Sequence, residues 1–310
     1  MTTGQFTKTE ATGQFKRAAP QGLRSFLFAP GNHPRRAEKV FQVGADVAVL
    51  DLEDAVASAE KELARESVVR ALRGSHASKA YVRVNSFDTR WCYGDLEAVV
   101  ILGLDGIVVP KAESAQQLHA IAMRISELEQ QRGIAAGTID LIAIVETARG
   151  IMHAAELAAA TPRLSRLALG GADYTNDLNL EWTAEERELD YARASLTHAS
   201  RVAGIEPPVD TVVVQIKDRD RFVRSARTGK QFGFLGKLCI HPDQVAACHE
   251  VFTPSSAEIA HAQSVVLAFR QAEARGLAAI QIDGAFVDYP VVYKAQRVLA
   301  LAGHLAVSKD

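Results

Sequence analysis

The sequence predicts an α/β protein built as a (β/α)8 TIM barrel with a C-terminal helical cap. Short apolar runs alternate with helix-patterned segments eight times between residues 25 and 251. Five of these runs lead into charge: Val47–Leu50 into Asp51, Tyr81-Val82 into Arg83, Ile107–Pro110 into Lys111, Leu141–Val145 into Glu146, and Leu167–Gly171 towards Asp173. The pattern then changes after Phe252-Thr253-Pro254. A buried parallel strand that ends in a charge delivers it where the chain leaves the core, and a closed barrel gathers such charges at one mouth. Charges collected on one face serve chemistry more often than stability.

In chain order, strands are predicted at 25–29, 46–51, 80–84, 106–110, 140–146, 166–171, 210–215 and 235–240. Helical segments are predicted at 34–43, 58–73, 94–102, 114–131, 149–160, 185–203, 218–228 and 243–251. Pro34 suits the first helical position, where its missing N–H is not needed, and Ser114 suits an N-cap. Residues 1–23 hold a near-duplicate, Thr3-Gly4-Gln5-Phe6 and Thr12-Gly13-Gln14-Phe15, in polar surroundings, and read as a flexible tail. The barrel is assigned to 24–253 and a cap or oligomerisation segment to 254–310. In that segment an amphipathic helix (255–275) ends at Gly276, Asp283-Gly284 follows a short apolar stretch, and a last helix (290–303) starts at Pro290. It is expected to cover the barrel mouth or reach a neighbouring subunit, with a plug for the barrel bottom as the alternative.

The chain has 310 residues, 48% of them hydrophobic, enough for one large α/β domain and a small appendage. A net charge of −2 excludes a basic field for nucleic acid or an anionic membrane. The three cysteines, Cys92, Cys239 and Cys248, form no CxxC or CxH array, which argues against a disulfide framework or a zinc site and suits a reducing cytoplasm. The first residues lack the apolar core of a secretory signal, and no apolar run approaches the ~20 residues of a membrane span.

Glu146 and Asp173, at the ends of neighbouring strands, suit a hard divalent cation, since Mg2+ needs only one or two protein carboxylates. Each equally suits capping the following helix or pairing with Arg149 or a lysine. Gly170-Gly171 lets backbone approach a ligand closely, or simply makes a tight turn. Arg83 at a barrel mouth can hold a carboxylate or stabilise an enolate oxygen, and can pair with Glu53 or Asp54 at the same time. Asp51, Glu53 and Asp54 repel one another unless cations hold them. Arg83 and Lys111 are the expected counterions, with the acids orienting Arg83 and metal-bound waters.

Six ordered motifs now stand together: Arg24–Gly31, Leu50-Asp51-Leu52-Glu53-Asp54-Ala55-Val56, Val82-Arg83-Val84-Asn85, Pro110-Lys111-Ala112-Glu113-Ser114, Val145-Glu146-Thr147-Ala148-Arg149-Gly150 and Gly236-Lys237-Leu238-Cys239-Ile240-His241-Pro242. Through them the chain resembles the citrate lyase β-subunit-like branch of the HpcH/HpaI aldolase family, from about Arg24 to the last helix. The resemblance implies a (β/α)8 barrel that binds Mg2+, or Mn2+ in its place, and cleaves or forms a C–C bond next to an acyl thioester. It places the metal ligands on Glu146 and Asp173 and the substrate arginine on Arg83. It also implies a cap aspartate, falling on Asp288 in Phe286-Val287-Asp288-Tyr289-Pro290, which reaches a neighbouring subunit's mouth. Three positions depart from the family pattern: Ala172 where many members carry Glu, Gln215 where relatives often carry an acid, and Ala29 where Val is common.

The resulting expectation is a cytoplasmic homotrimer or hexamer that splits a 3-hydroxyacyl-CoA thioester into an acyl thioester and a 2-keto acid. Arg83 stabilises the enolate oxygen, Asp288 moves the proton at the α-carbon, and the Gly171 and Ala172 amides hold the keto-acid carboxylate. Arg24, Arg35, Arg36 and Lys39 are candidates for the CoA diphosphate, although a solvated helix face explains them equally well. Alternatives are a metal-dependent pyruvate aldolase acting on free 4-hydroxy-2-keto acids, and a citrate lyase β subunit working with α and γ subunits on an acyl-carrier-protein thioester. A non-catalytic binding protein is a third, but the interleaved acid in Arg219–Arg227 reads as a solvated helix.

Overall fold

The computed structural model of the chain describes residues 22–307. Seven strands form one parallel sheet: β1 (Ser25–Pro30), β2 (Val47–Asp51), β3 (Lys79–Arg83), β4 (Gly106–Val109), β5 (Asp140–Val145), β6 (Leu164–Leu169) and β7 (Lys237–Cys239). Their spatial order is β6-β5-β4-β3-β2-β1-β7. The helices between and after them are α1 (Pro34–Lys39), α2 (Lys61–Leu72), α3 (Cys92–Val99), α4 (Ala115–Arg132), α5 (Ala148–Met152), α6 (Ala154–Ala158), α7 (Gly171–Asp177), α8 (Asp190–Ala203), α9 (Arg219–Gln231) and α10 (Asp243–Phe252). Ser114 caps α4 in a capping box with Gln117, and Pro34 opens α1, both as predicted.

The strand predicted at 210–215 does not form. Ala168 pairs with Val209 and Asp210 with Lys237, so a two-residue bridge joins β6 to β7 and closes the ring. Pro207 and Pro208 bring no N–H to a ladder at this point. Buried side chains hold the segment instead: Lys237 Nζ lies 2.7 Å from Asp210 Oδ2, and Arg193 Nε 3.0 Å from Asp210 Oδ1. The predicted helix 149–160 is broken at His153 into α5 and α6, and α7 occupies a stretch for which the sequence predicted no helix.

The pleat decides what faces the barrel axis, because alternate residues of a strand point to opposite sides. Phe26, Val47, Val49, Tyr81, Val108 and Ile142 belong to the inner apolar cluster. Their neighbours in the opposite phase, such as Leu27, Ala48, Leu50, Val82 and Ile107, pack under the helices. Continuing the inner phase by two residues gives Asp51 after Val49, Arg83 after Tyr81 and Glu146 after Ile144. The same alternation that builds the core therefore brings these three charges to the mouth.

Beyond the barrel, α11 (Ser256–Glu273) opens in a capping box between Ser255 and Glu258. A hairpin of β8 (Ile280–Ile282) and β9 (Ala285–Val287) follows, turning at Asp283 and Gly284 with φ of 49° and 80°, and α12 (Tyr289–Val307) ends the described chain. Ala262, Val265, Phe269, Val287, Val292 and Ala295 form a core for this unit, separate from the barrel clusters. The tail expected at 1–23 falls, for residues 1–21, outside the described residues. Among the described residues no helix is long and apolar enough to cross a membrane.

Candidate active site

The barrel mouth holds a cleft of about 430 Å³ whose wall includes Asp51, Arg83, Glu146, Gly170, Asp173 and Thr211. Glu146 is only 2% exposed. Burial, with the Asp173 and Glu53 carboxylates nearby, pushes its carboxyl up to about 8. Its Oε1 accepts the Lys111 main-chain N–H at 2.7 Å. That amide is aimed by an unusual backbone: Lys111 has φ 49°, the left-handed region that costs a side-chain-bearing residue energy and recurs at functional sites.

Arg83 is gripped by Asp51, with Nε 2.7 Å from Oδ1 and Nη2 2.6 Å from Oδ2. Its Nη1 lies 2.8 Å from Glu53 Oε2, and its guanidinium stacks over the Phe28 ring at 5.1 Å. Asp51 also accepts the Glu53 amide at 2.9 Å. Glu53 completes the bridge by accepting from Lys111 Nζ, which lies 3.3 Å from Asp54 Oδ2 as well. Burial raises the Glu53 carboxyl above its ordinary range despite Arg83 and Lys111. The less buried Asp54 is held below its range by Lys111 and Arg83, against the effect of burial. The predicted cluster of Asp51, Glu53, Asp54, Arg83 and Lys111 is thus one connected network. Arg83 still retains guanidinium N–H groups beyond those given to Asp51.

Gly170 makes room for Glu146: a Cβ there would sit 2.1 Å from Glu146 Oε2. Gly171 needs its small size against Thr211, and its N–H donates to Thr211 Oγ1 at 2.8 Å. The expectation that the Gly171 amide holds a substrate carboxylate is corrected on this point, because that donor is already used. The amides of Ala172 and Asp173, in the first turn of α7, have no acceptor within the helix.

The donor set fits a hard divalent ion. Among the described residues no group of three or more His, Cys, Asp or Glu gathers as a metal cluster. Two acidic groups, a buried Glu146 and an Asp173 carboxylate close enough to raise the cost of ionising it, match what Mg2+ requires of a protein. Glu146 and Asp173 would hold it, and Gly170 provides the space.

Arg24, Arg36, Lys39 and Asp288 lie outside this cleft wall. Arg24 sits before β1, at the end of the barrel opposite the mouth, with Nη2 2.7 Å from Asp46 Oδ1 and Nη1 2.8 Å from Thr253 Oγ1. It ties the barrel floor together and is corrected as a CoA-binding candidate. Arg36 and Lys39 instead line a neighbouring groove of about 540 Å³ with His241, adjoining the cleft at Phe28, Pro30 and Ile240. Asp288 is half-buried in the cap and is absent from the cleft wall of its own chain. Thr211 escaped the sequence reading, because a threonine in the run Thr211-Val212-Val213-Val214 looks like any strand residue.

The family model for HpcH/HpaI aldolase/citrate lyase matches residues 24–242. The citrate lyase subunit beta of Leuconostoc mesenteroides subsp. cremoris is 38% identical over 290 residues, covering 92% of this chain and 96% of that protein. The L-malyl-CoA/beta-methylmalyl-CoA lyase of Cereibacter sphaeroides is 33% identical over 301 residues, covering 90% and 94%. Among solved structures, the CitE protein of Mycobacterium tuberculosis in complex with magnesium, acetoacetate and coenzyme A is 30% identical with a TM-score of 0.74, covering 90% of this chain and 98% of that one. With a matching family model over most of its barrel and relatives matched along nearly their whole length, the chain is a lyase that belongs to the HpcH/HpaI aldolase/citrate lyase family.

Proposed function

We propose that the protein is a Mg2+-dependent carbon–carbon lyase that cleaves, or in reverse forms, a 3-hydroxyacyl-CoA thioester such as citramalyl-CoA, malyl-CoA or a citryl thioester. The observation that carries this reading is the buried Glu146 beside Asp173, in a cleft walled by the Arg83 guanidinium. The complex of magnesium, acetoacetate and coenzyme A in the Mycobacterium tuberculosis relative supports it.

In the cleavage direction the substrate hydroxyl loses its proton, the C–C bond breaks, and its electron pair moves into the thioester carbonyl to give an enolate. The departing fragment becomes a 2-keto acid, and a proton added at the enolate carbon yields the acyl thioester. Mg2+, when bound, supplies Lewis-acid charge neutralisation at the keto-acid oxygens. Arg83, fixed by Asp51, offers its remaining N–H groups to the enolate oxygen. The Ala172 amide accepts the role of binding the keto-acid carboxylate. Asp288, from the cap of a neighbouring subunit in a homotrimer or hexamer, delivers the proton. Its absence from its own chain's cleft supports that sharing. Arg36 and Lys39 take the CoA phosphates in the adjoining groove.

The test is incubation with malyl-CoA, citramalyl-CoA, citryl-CoA and free 4-hydroxy-2-keto acids, each with and without Mg2+, with detection of released keto acid. Mg2+-dependent release from a CoA ester supports the reading, and release only from free keto acids replaces it with the aldolase reading. The similarity to citrate lyase β subunits favours a second substrate form, an acyl-carrier-protein thioester, which the same assay tests with that carrier added.

A further inference from the structure

Lys61, the first residue of α2, is 6% exposed. A buried ammonium is costly unless its hydrogen bonds are met. Here Nζ donates to two main-chain carbonyls, Leu52 O at 2.9 Å and Glu53 O at 2.8 Å, and stands 5.4 Å from the centre of the Trp91 ring. Both acceptors belong to the loop leaving β2, whose Glu53 side chain contacts Arg83 and Lys111. One turn along the same helix face, Arg65 reaches the start of α3 and the loop before it: Nε donates to Asp95 at 2.6 Å and Nη2 to Trp91 O at 3.0 Å. Asp95 in turn accepts from the Asn85 amide at 2.8 Å, two residues after Arg83.

We propose that Lys61 is a positioning residue: it holds the main chain of Leu52 and Glu53 so that Glu53 and Asp51 keep the Arg83 guanidinium directed at the substrate. Lysine suits the task better than arginine, because one compact ammonium with three rotatable donors can serve two converging carbonyls and still face an aromatic ring. Its effect on the proposed lyase chemistry rests on that reading of the site, whereas the anchoring of the loop does not.

The experiment compares wild type, Lys61→Met, Glu53→Gln and the double variant, with Lys61→Arg as a charge-retaining control. Hydrogen–deuterium exchange of the segment 51–57 reads the anchoring directly. Lys61→Met is expected to speed exchange there, with α4 and α8 unchanged. In the kinetic arm, Lys61→Met is expected to lower kcat for CoA-thioester cleavage about 10–100-fold while Mg2+ affinity stays within about threefold. The double variant should fall no further than about threefold below the weaker single, since both changes act through one element. Unchanged exchange in 51–57 overturns the proposal, as does a double variant whose losses multiply. Should Lys61→Met not fold, Lys61→Gln, which also removes the ammonium, enters the same two arms under the same criteria. A wild type that cleaves no thioester sinks the lyase reading, and the exchange arm then judges Lys61 alone.

Discussion

Asp51 and Arg83 meet through two parallel hydrogen bonds of 2.7 and 2.6 Å at the barrel mouth, on neighbouring strands in direct register. A two-pronged contact fixes the plane of a guanidinium as well as its place. Asp51→Asn is therefore expected to lower kcat about 10–100-fold with little change in Mg2+ affinity. Steady-state kinetics and calorimetry separate the two quantities, and an equal loss of metal binding would show that Asp51 acts elsewhere.

Removing Glu146 or Asp173 tests the proposed metal ligands instead. Glu146→Ala and Asp173→Ala are each expected to abolish measurable Mg2+ binding by calorimetry and, with it, Mg2+-dependent cleavage. The fold should survive in both, with a circular-dichroism melt as the check.

Gly170→Ala is a subtler version. The added methyl carbon would stand 2.1 Å from Glu146 Oε2 and 2.5 Å from its Cβ, so the carboxylate must swing away and the two strand ends must move apart. A loss of about 10–100-fold in Mg2+ affinity is expected without removing any ligand. Unaltered affinity would mean that Glu146 does not bind the ion in the position seen here.

The pH dependence has a definite sign. Glu146 ionises near 4.5 when exposed and near 8 in the metal-free fold. Between those values the folded state holds a proton that the unfolded state has lost, so this group's contribution to stability declines as pH rises from about 4.5 to about 8. Metal-free protein should lose melting temperature over that window, and saturating Mg2+ should flatten the loss, because binding needs the ionised carboxylate. Thermal melts at fixed ionic strength, with and without Mg2+, test this.

The seam between β6 and β7 makes a stability prediction. Asp210 sits between Lys237 and Arg193, all three fully buried. Lys237→Met leaves Asp210 with less compensation and should cost about 3–5 kcal/mol in denaturant unfolding. Burial alone would raise the Asp210 carboxyl, but Lys237 and Arg193 hold it below its ordinary 3.8. Its contribution is therefore present above that value and is lost as pH falls through the lower folded value.

Parallel strands buried on both faces read as apolar runs, and that made β1–β6 visible in the sequence. The same reading failed at 210–215, where a Val-rich run follows two prolines and is held by buried ions that no local pattern reveals. Asp51, Arg83 and Glu146 were legible because they continue the inward phase of their strands. Arg24 was misread although its place was legible: it precedes β1, and in a parallel barrel the residue before a strand lies at the end opposite the mouth. Lys61 was invisible, since a lysine in the first turn of a helix looks solvated until the loop it serves has folded over it. Asp288 was singled out only through the family likeness, because no apolar run or motif spacing in the sequence points to it.

The two-rung join at Val209 and Asp210 has a bearing on how the barrel yields under stress. Every other neighbouring pair of strands shares at least three rungs of ladder, so a crack has most reason to start here. Thr211, which bonds the Gly171 amide at the edge of the cleft, lies one residue beyond that join. Partial opening would thus reach the chemistry before the rest of the molecule loosens, and heat should silence the enzyme before it melts it.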